Sequence, residues 1–559
     1  MISSVPLARC RLALPLLFVA LLAHTCWVKS PTWDEPGYLG LGSYLIDHGH
    51  WDVPGAGSHP PLAYYIQALP FLRPAYRLVA SHWSYPDNTV RDLSFVRSAD
   101  IDRGNAILLD PRYDGEVLLW LCRMSSLVAA AALFYCLWRW ARDLHGTVGA
   151  TVALGAACLS PNLIAHAGLA TTDFTLAVTY FCAFYGLRRF LLQPTGRRLL
   201  FAGILGGLAL ASKLSALLWG PTTAVLLCWT ALNGPDAVRS RLGRWAGWVP
   251  VARLRPWVGA AVAGVALALT AMTILWLLYG FRIMPFWTVL TSQLWDLSSG
   301  HEAFLAGQYS TEGWWYYFPA AFLVKTPVPT LLLSAWGVLR LLQDRARSWD
   351  HGLLLVPPVL FFTAFVLSEG KAIGLRYLLP VYPFLFVVTG AAIRTAWRTA
   401  PAWRRHAILG LCAALLLTVT RIHPDHLAYF NELTGGPDGG HRILVDSNLD
   451  WGQDLKGLKT WMDEQGVARI KLSYFGSADP ALYDLEYDWL PSYILPNHGT
   501  TSVELPTTGW LAISVTNRVG VYMDMYGHGK GLFDWLKLYE PVARIGHTIW
   551  IYHIPSTPP

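Results

Sequence analysis

The chain alternates long apolar runs with short polar connections. Runs of about 17–25 apolar residues are long enough to cross a bilayer as helices. Eleven such segments are read, at 12–28, 117–140, 148–165, 172–190, 199–214, 215–232, 257–280, 319–342, 352–368, 377–397 and 405–421. The division between the fifth and sixth rests on Ser212 and Lys213, which interrupt one long run. Arg9 and Arg11 ahead of the first run would also suit a signal peptide. No small-residue cleavage site follows, so the run is read as an uncleaved anchor.

The polar positions fix an orientation. Arg139 and Arg142 follow the second span, and Arg188, Arg189, Arg197 and Arg198 the fourth. Arg239, Arg241, Arg244, Arg253 and Arg255 follow the sixth, Arg340, Arg345 and Arg347 the eighth, and Arg394, Arg398, Arg404 and Arg405 the tenth. Basic connections stay in the cytoplasm, so every even-numbered connection is inside. The N-terminus is then inside and the C-terminus outside, which needs an odd number of spans. The outer face receives 29–116, a turn near 166–172, a loop near 281–318, a short loop at 369–376 and everything after about 422.

Two stretches of the first outer loop repeat at helical spacing but are too short to span. Tyr38, Leu41 and Leu45 form one, and Leu62, Tyr65, Ile66 and Leu69 the other. They predict interfacial helices. Between them, Gly55-Ala56-Gly57-Ser58-His59-Pro60-Pro61 reads as a turn, and 73–116 as polar and irregular. The last stretch, 422–559, reads as a small soluble α/β domain behind a membrane domain of 1–421. Strands are expected at 441–447, 469–475, 511–517 and 548–554. A helix is expected over 450–466, capped by Asp450, stopped by Gly466 and striped by Leu455, Leu458 and Met462.

Composition agrees with this pattern. The chain is 54% hydrophobic and 14% charged, against roughly 25% charged in soluble proteins. The 27 Trp and 25 Tyr suit aromatic belts at two interfaces. The formal charge of +7 comes with Arg residues scattered between apolar runs, so they are topology signals and no nucleic-acid partner is indicated. The eight cysteines all lie in or beside apolar runs, and no disulfide framework or CxxC metal pair is indicated. No P-loop, dinucleotide-binding glycine fingerprint or GxSxG is present.

The candidate chemistry collects on the outer face. Trp33-Asp34-Glu35-Pro36 stands directly after the first span, where charge is costly and tends to be functional. A carboxylate there can take the proton of an attacking acceptor, and one base suffices for a single displacement with inversion. The same residues also suit a helix start, and the two readings are compatible. Asp173 lies at the outer end of the fourth span, as a cap or a site residue. Lys325 and Arg376 are outside cations that the charge pattern does not explain; either can pair with a carboxylate or hold a phosphate. His59, His301 and Glu302 are further candidates, against the ordinary reading of solvated loop residues. Trp314-Trp315-Tyr316-Tyr317-Phe318 reads first as an aromatic belt and second as a sugar or lipid contact. No metal-ligand spacing is present; a carboxylate-bound divalent cation is the one cofactor left open.

Taken in order, these residues resemble one family. They are the Asp34-Glu35 pair, His59-Pro60-Pro61-Leu62 between two interfacial helices, Ala170-Thr171-Thr172-Asp173, and Arg376-Tyr377-Leu378-Leu379-Pro380. The set is similar to the GT-C membrane glycosyltransferases of the protein O-mannosyltransferase and aminoarabinose transferase type. The 446–454 segment resembles a bacterial branch with a periplasmic C-terminal domain. The resemblance implies a GT-C-like polytopic fold in a bacterial inner membrane. It implies a polyprenyl-monophosphate sugar as donor and a protein, lipid or glycan acceptor on the non-cytoplasmic face. It makes Asp34 the catalytic base, Glu35 its support or an acceptor contact, and Asp173 the second acidic site residue. His59, where relatives carry Lys, would contact the lipid phosphate, with Arg376, its neighbour Tyr377 and Lys325 around it. Two other classes compete. A transporter or flippase of lipid-linked sugars would place charge near mid-membrane and show repeats. An assembly subunit would tolerate Asp34→Asn.

Overall fold

The computed structural model describes residues 4–49, 51, 59–73, 76, 99–282, 284–368, 371–393, 401–493 and 504–556. Residues 55–58 of the turn predicted at 55–61 and most of 73–98 lie outside these residues, as do Arg394 and Arg398.

Helices α1 (Ser4–Val28), α2 (Glu35–His48), α3 (Leu62–Gln67), α4 (Ala99–Leu108), α5 (Gly115–Met124) and α6 (Leu127–Cys158) open the chain. Then come α7 (Pro161–Ala167), α8 (Thr172–Leu192), α9 (Gly196–Leu210), α10 (Trp219–Asn233), α11 (Asp236–Gly243), α12 (Arg255–Leu278) and α13 (Met284–Ser298). After a small hairpin follow α14 (Tyr317–Lys325), α15 (Val328–Gln343), α16 (Ser348–Val366), α17 (Tyr382–Thr389) and α18 (Ala402–Ile422). Each predicted span falls mainly on helical residues as far as it is described, although 148–165 covers parts of α6 and α7, 319–342 parts of α14 and α15, and residues 394–397 of the tenth lie outside the described residues. Among the described residues seven helical stretches are long and apolar enough to cross a bilayer, or nine if two bent pairs each count as one span. The expected number of eleven is not reached by this measure, for two reasons. α6 joins the second and third runs across a break at Gly146, whose φ is 75°. α9, at 15 residues, rises only about 22 Å.

Two bends lie close to the candidate chemistry. α7 meets α8 at 114°, and α14 meets α15 at 111°. Pro327 supplies the second break, because it cannot donate to the helix ladder. Broken backbone at membrane depth persists only where protein satisfies it or a cavity adjoins it. Asp173 follows the first break directly and Lys325 precedes the second.

The first outer loop does contain the two expected helices, α2 and α3. α2 is buried within the protein along most of its length. The stretch expected to be irregular holds α4, which packs so closely on α2 that Gly104 approaches the Pro36 backbone, leaving no room for a Cβ.

The C-terminal region, where a separate domain is expected, carries a five-stranded mixed sheet. Its strands, after β1 (Ala303–Leu305) and β2 (Gln308–Ser310) of the hairpin, are β3 (Ile470–Ser473), β4 (Tyr487–Trp489), β5 (Gly509–Ser514), β6 (Ala543–Ile545) and β7 (Ile549–Ile554). The order is β4-β3-β5-β7-β6, with β3 parallel to both β4 and β5. Three of the four predicted strands form. The fourth, at 441–447, does not: it runs as turns into a 3-10 turn at Asp446–Asn448, because its groups are spent on the membrane domain. Asn448 Oδ1 accepts from the Leu375 amide at 2.9 Å, and Ser447 Oγ donates to the Ile373 carbonyl at 2.9 Å. The predicted helix starts later than expected, at Leu455, with Asp454 and not Asp450 at its N-cap position. Asp450 instead accepts from the Thr516 amide at 3.0 Å and the Gly452 amide at 3.3 Å.

Candidate active site

Asp34 stands at the start of α2 but caps no helix N–H with its side chain. Its Oδ2 accepts from Arg376 Nη1 at 2.8 Å. The same Nη1 lies 3.6 Å from Asp173 Oδ2. Asp173 Oδ1 in turn accepts from Lys213 Nζ at 2.6 Å. Four side chains from four distant segments thus alternate in charge along one line. Asp173 is buried at the mouth of the α7–α8 bend, where Thr171 and not Asp173 holds the N-cap position. Arg376 packs 4.3 Å over the Trp451 ring and 5.3 Å over Tyr377, and Lys213 lies 4.6 Å over Tyr377. Arg376 Nε and Asp173 Oδ2 are buried without hydrogen-bond partners, a capacity that an incoming phosphate or hydroxyl can use.

Asp34, Arg376, Lys213, Tyr377 and His59 line one cavity of about 290 Å³. His59 stacks on Tyr38, with ring centroids 6.0 Å apart. Burial, then the Lys213 charge, holds its imidazole well below the usual range, so it is neutral at pH 7. His301 also lines the cavity, while Glu302 pairs with Lys530 at 3.3 Å.

Two expected site residues are placed elsewhere. Glu35 is fully buried and turned away, bound on both oxygens. Arg123 donates to it at 2.8 and 2.7 Å, Thr32 through its amide at 2.7 Å and its hydroxyl at 3.0 Å, and the Ala170 amide at 2.8 Å. The Ala170 N–H is one that the α7–α8 break leaves without a helical partner. Glu35 therefore fixes the chain on either side of the site, next to Asp34 and three residues before Asp173. Arg123 adds bonds to the carbonyls of Cys26, Lys29 and Ser30, at 2.9, 2.7 and 2.7 Å. Lys325 is buried and gives its ammonium to the carbonyls of Leu427, at 2.8 Å, and Asn448. It ties the second bend to the C-terminal domain and not to the cavity.

Lys213, Arg123 and the C-terminal wall of the cavity are not among the residues that the sequence singles out for the site. Lys213 was detectable: the orientation puts it at the outer end of the fifth span, level with Asp173. Among the described residues no group of three His, Cys, Asp or Glu side chains is disposed to hold a metal ion.

Residues 115–258 match the family model described as dolichyl-phosphate-mannose-protein mannosyltransferase. This quarter of the chain contains Arg123, Asp173 and Lys213. Among solved structures, the chain is similar to ArnT from Cupriavidus metallidurans bound to undecaprenyl phosphate, with 12% identity, a TM-score of 0.46 and 98% of each chain covered. It is also similar to the oligosaccharyltransferase AglB from Archaeoglobus fulgidus in complex with an inhibitory peptide and a dolichol-phosphate. That match has 13% identity, a TM-score of 0.46, and covers 82% of this chain and 58% of that one. No curated protein sequence matches the chain.

Proposed function

We propose that the protein is an inverting glycosyltransferase that moves a sugar from a polyprenyl-monophosphate carrier to an acceptor on the non-cytoplasmic face of a bacterial inner membrane. The N-terminus is then cytoplasmic and the C-terminal domain periplasmic. The observation that carries this reading is the meeting of Asp34 with Arg376 and Lys213 in one cavity, on the face that the loop charges make the outer one.

In the reaction the acceptor oxygen attacks the anomeric carbon. The bond from that carbon to the phosphate oxygen breaks, and the electron pair leaves with the polyprenyl phosphate. The acceptor proton passes to Asp34. Arg376 and Lys213 stabilise the charge that grows on the leaving phosphate. Lys213 supplies the cation that neutral His59 cannot, and His59 is left to donate or accept a single hydrogen bond. Asp173 is a positioning residue: it holds both cations at one point and keeps them from repelling each other apart. Glu35 positions rather than reacts.

The test is turnover by purified protein with a panel of polyprenyl-phosphate sugars, following sugar release or transfer. Asp34→Asn should fall by about 10²–10⁴-fold, the usual worth of a general base. A folded Asp34→Asn variant with wild-type turnover would remove the base. Reaction with nucleotide sugars while every lipid donor stayed inert would remove the donor class.

A further inference from the structure

One wall of the cavity comes from the C-terminal domain. The direction of the strands explains why. β4, β3 and β5 run parallel, and Tyr493, Phe475 and Tyr522 each follow the carboxyl end of one of them. In open α/β sheets that crest is where ligands bind. Here the crest is pressed into the membrane domain. Trp33, directly before Asp34, takes its place among these rings, 5.0 Å from Phe475 and 4.9 Å from Tyr493. Phe475 and Tyr522 lie parallel within 2°, with centroids 5.6 Å apart, and Tyr493 sits 4.7 Å from Tyr522.

A carboxylate stands beside the rings. Asp446 adopts a left-handed backbone, φ 59°, uncommon for a residue with a side chain. It accepts from the Tyr522 hydroxyl and from the Ser447 amide, and it lines the cavity with His301, whose ring meets Tyr522 edge-on at 5.9 Å. Among the described residues, three main-chain amides here are already taken. The Tyr474 and Phe475 amides donate to Ser492 and Ser514, at 3.1 and 3.0 Å, and the Trp33 amide donates to the Trp451 carbonyl at 2.8 Å. An extended peptide binds through just such main-chain groups. What this wall offers instead is a packed aromatic cluster that borders the cavity beside a carboxylate, a phenol and an imidazole. A pyranose matches it, with C–H groups to meet the rings and hydroxyls at its rim.

We infer that the C-terminal domain is the acceptor half of the active site and that the acceptor is a carbohydrate hydroxyl. The rings bear the acceptor sugar, and Asp446 with Tyr522 fixes its hydroxyls so that one meets Asp34. This rests on the transferase reading above, and the experiment separates the two.

Full-length protein in lipid nanodiscs is given the panel of polyprenyl-phosphate sugars, with either methyl glycosides or Ser/Thr-containing peptides as acceptors. Methyl glycosides should accelerate donor consumption and appear as glycosylated product, and peptides should not. Phe475→Leu and Tyr522→Phe should each raise the glycoside KM about tenfold, with a much smaller change in kcat. Phe475→Leu also probes domain docking, so its melting temperature is read alongside; Tyr522→Phe keeps the ring and removes only the hydroxyl on Asp446. Peptide acceptors used in preference to every glycoside would overturn the carbohydrate assignment and leave the transferase intact. So would variants that lower kcat without moving the acceptor KM. Donors left untouched with either acceptor, and not hydrolysed, would overturn the transferase and this inference with it.

Discussion

Replacing Glu35 should damage the fold before it damages the chemistry. Its carboxylate and the Arg123 guanidinium are both fully buried and joined by two bonds. Breaking such a pair by removing one partner costs about 3–5 kcal/mol, because the surviving charge stays buried and unpaired. Glu35→Gln strands the Arg123 charge. Arg123→Met strands the Glu35 charge and also leaves three carbonyls of residues 26–30 short of a donor. Each single variant should therefore lose about 3–5 kcal/mol. The double Glu35→Met, Arg123→Met variant should lose less than the sum, since no buried charge remains; a coupling of about 1–3 kcal/mol is expected. Thermal and denaturant unfolding of the purified variants give the cycle. The pH profile adds a second reading. Burial pushes the Glu35 carboxyl up, but Arg123 and the amide donors outweigh it and hold it below the usual range. A depressed folded pKa gives stability that is full above the unfolded value, near 4.3, and is lost as pH falls below it. Glu35→Gln should flatten that acid limb. A Glu35→Gln protein with wild-type stability and no turnover would refute the reasoning, since only contact with substrate would then explain the loss.

Lys213→Met should raise the KM for lipid donor and lower kcat, together about 10²-fold in kcat/KM, as for loss of one charge-assisted contact to a phosphate; steady-state kinetics with donor varied would show it, and an unchanged donor KM would free Lys213 of that role. Asp450 predicts a loss of stability as pH rises. Burial pushes its carboxyl up to about 7, so between about pH 4 and 7 the folded chain keeps a proton that the unfolded chain gives up. Stability should fall across that window by about 4 kcal/mol at most, and Asp450→Asn should flatten the slope in melts taken from pH 4.5 to 7.5.

Apolar periodicity carried most of the fold. Among the described residues it located each helix long enough to span, because a bilayer admits few alternatives to a helix of fixed length. It placed the break at Gly146, between the runs 117–140 and 148–165, and the α7–α8 bend, at the turn read near 166–172. It failed inside two runs: α6 gives way to α7 at Leu159–Ser160 within 148–165, and α14 bends into α15 at Thr326–Pro327 within 319–342. The strand expected at 441–447 failed for another reason. Alternation there suits a sheet, but the segment is claimed by Ile373, Leu375 and Tyr317 of the membrane domain. No local signal announces partners that lie 73 to 131 residues away.

The site divides along the same line. Asp34, Asp173 and Arg376 were legible because each is a polar residue where an apolar one would be cheaper, and the loop charges put all three on one face; the role of His59 came through the family resemblance. Lys213 satisfies both conditions, yet from sequence it marks only a span boundary. A lysine at a span end can snorkel to water, so its charge alone says nothing. What distinguishes Lys213 is that it does not snorkel. It turns inward, 2.6 Å from a buried aspartate and over the Tyr377 ring, and it sits beside an imidazole that burial keeps neutral. A buried Asp173 with only Arg376 near it would leave Asp34 and Asp173 competing for one guanidinium. Two carboxylates converging on Arg376 call for a second cation. Among the described residues Lys29 pairs with Asp425 and Asp454, Arg103 with Asp47, Arg123 with Glu35 and Lys371 with Asp296, and Lys325 is spent on carbonyls. Lys213 is the one set on Asp173, so the pairing of charges identifies a residue that periodicity passes over.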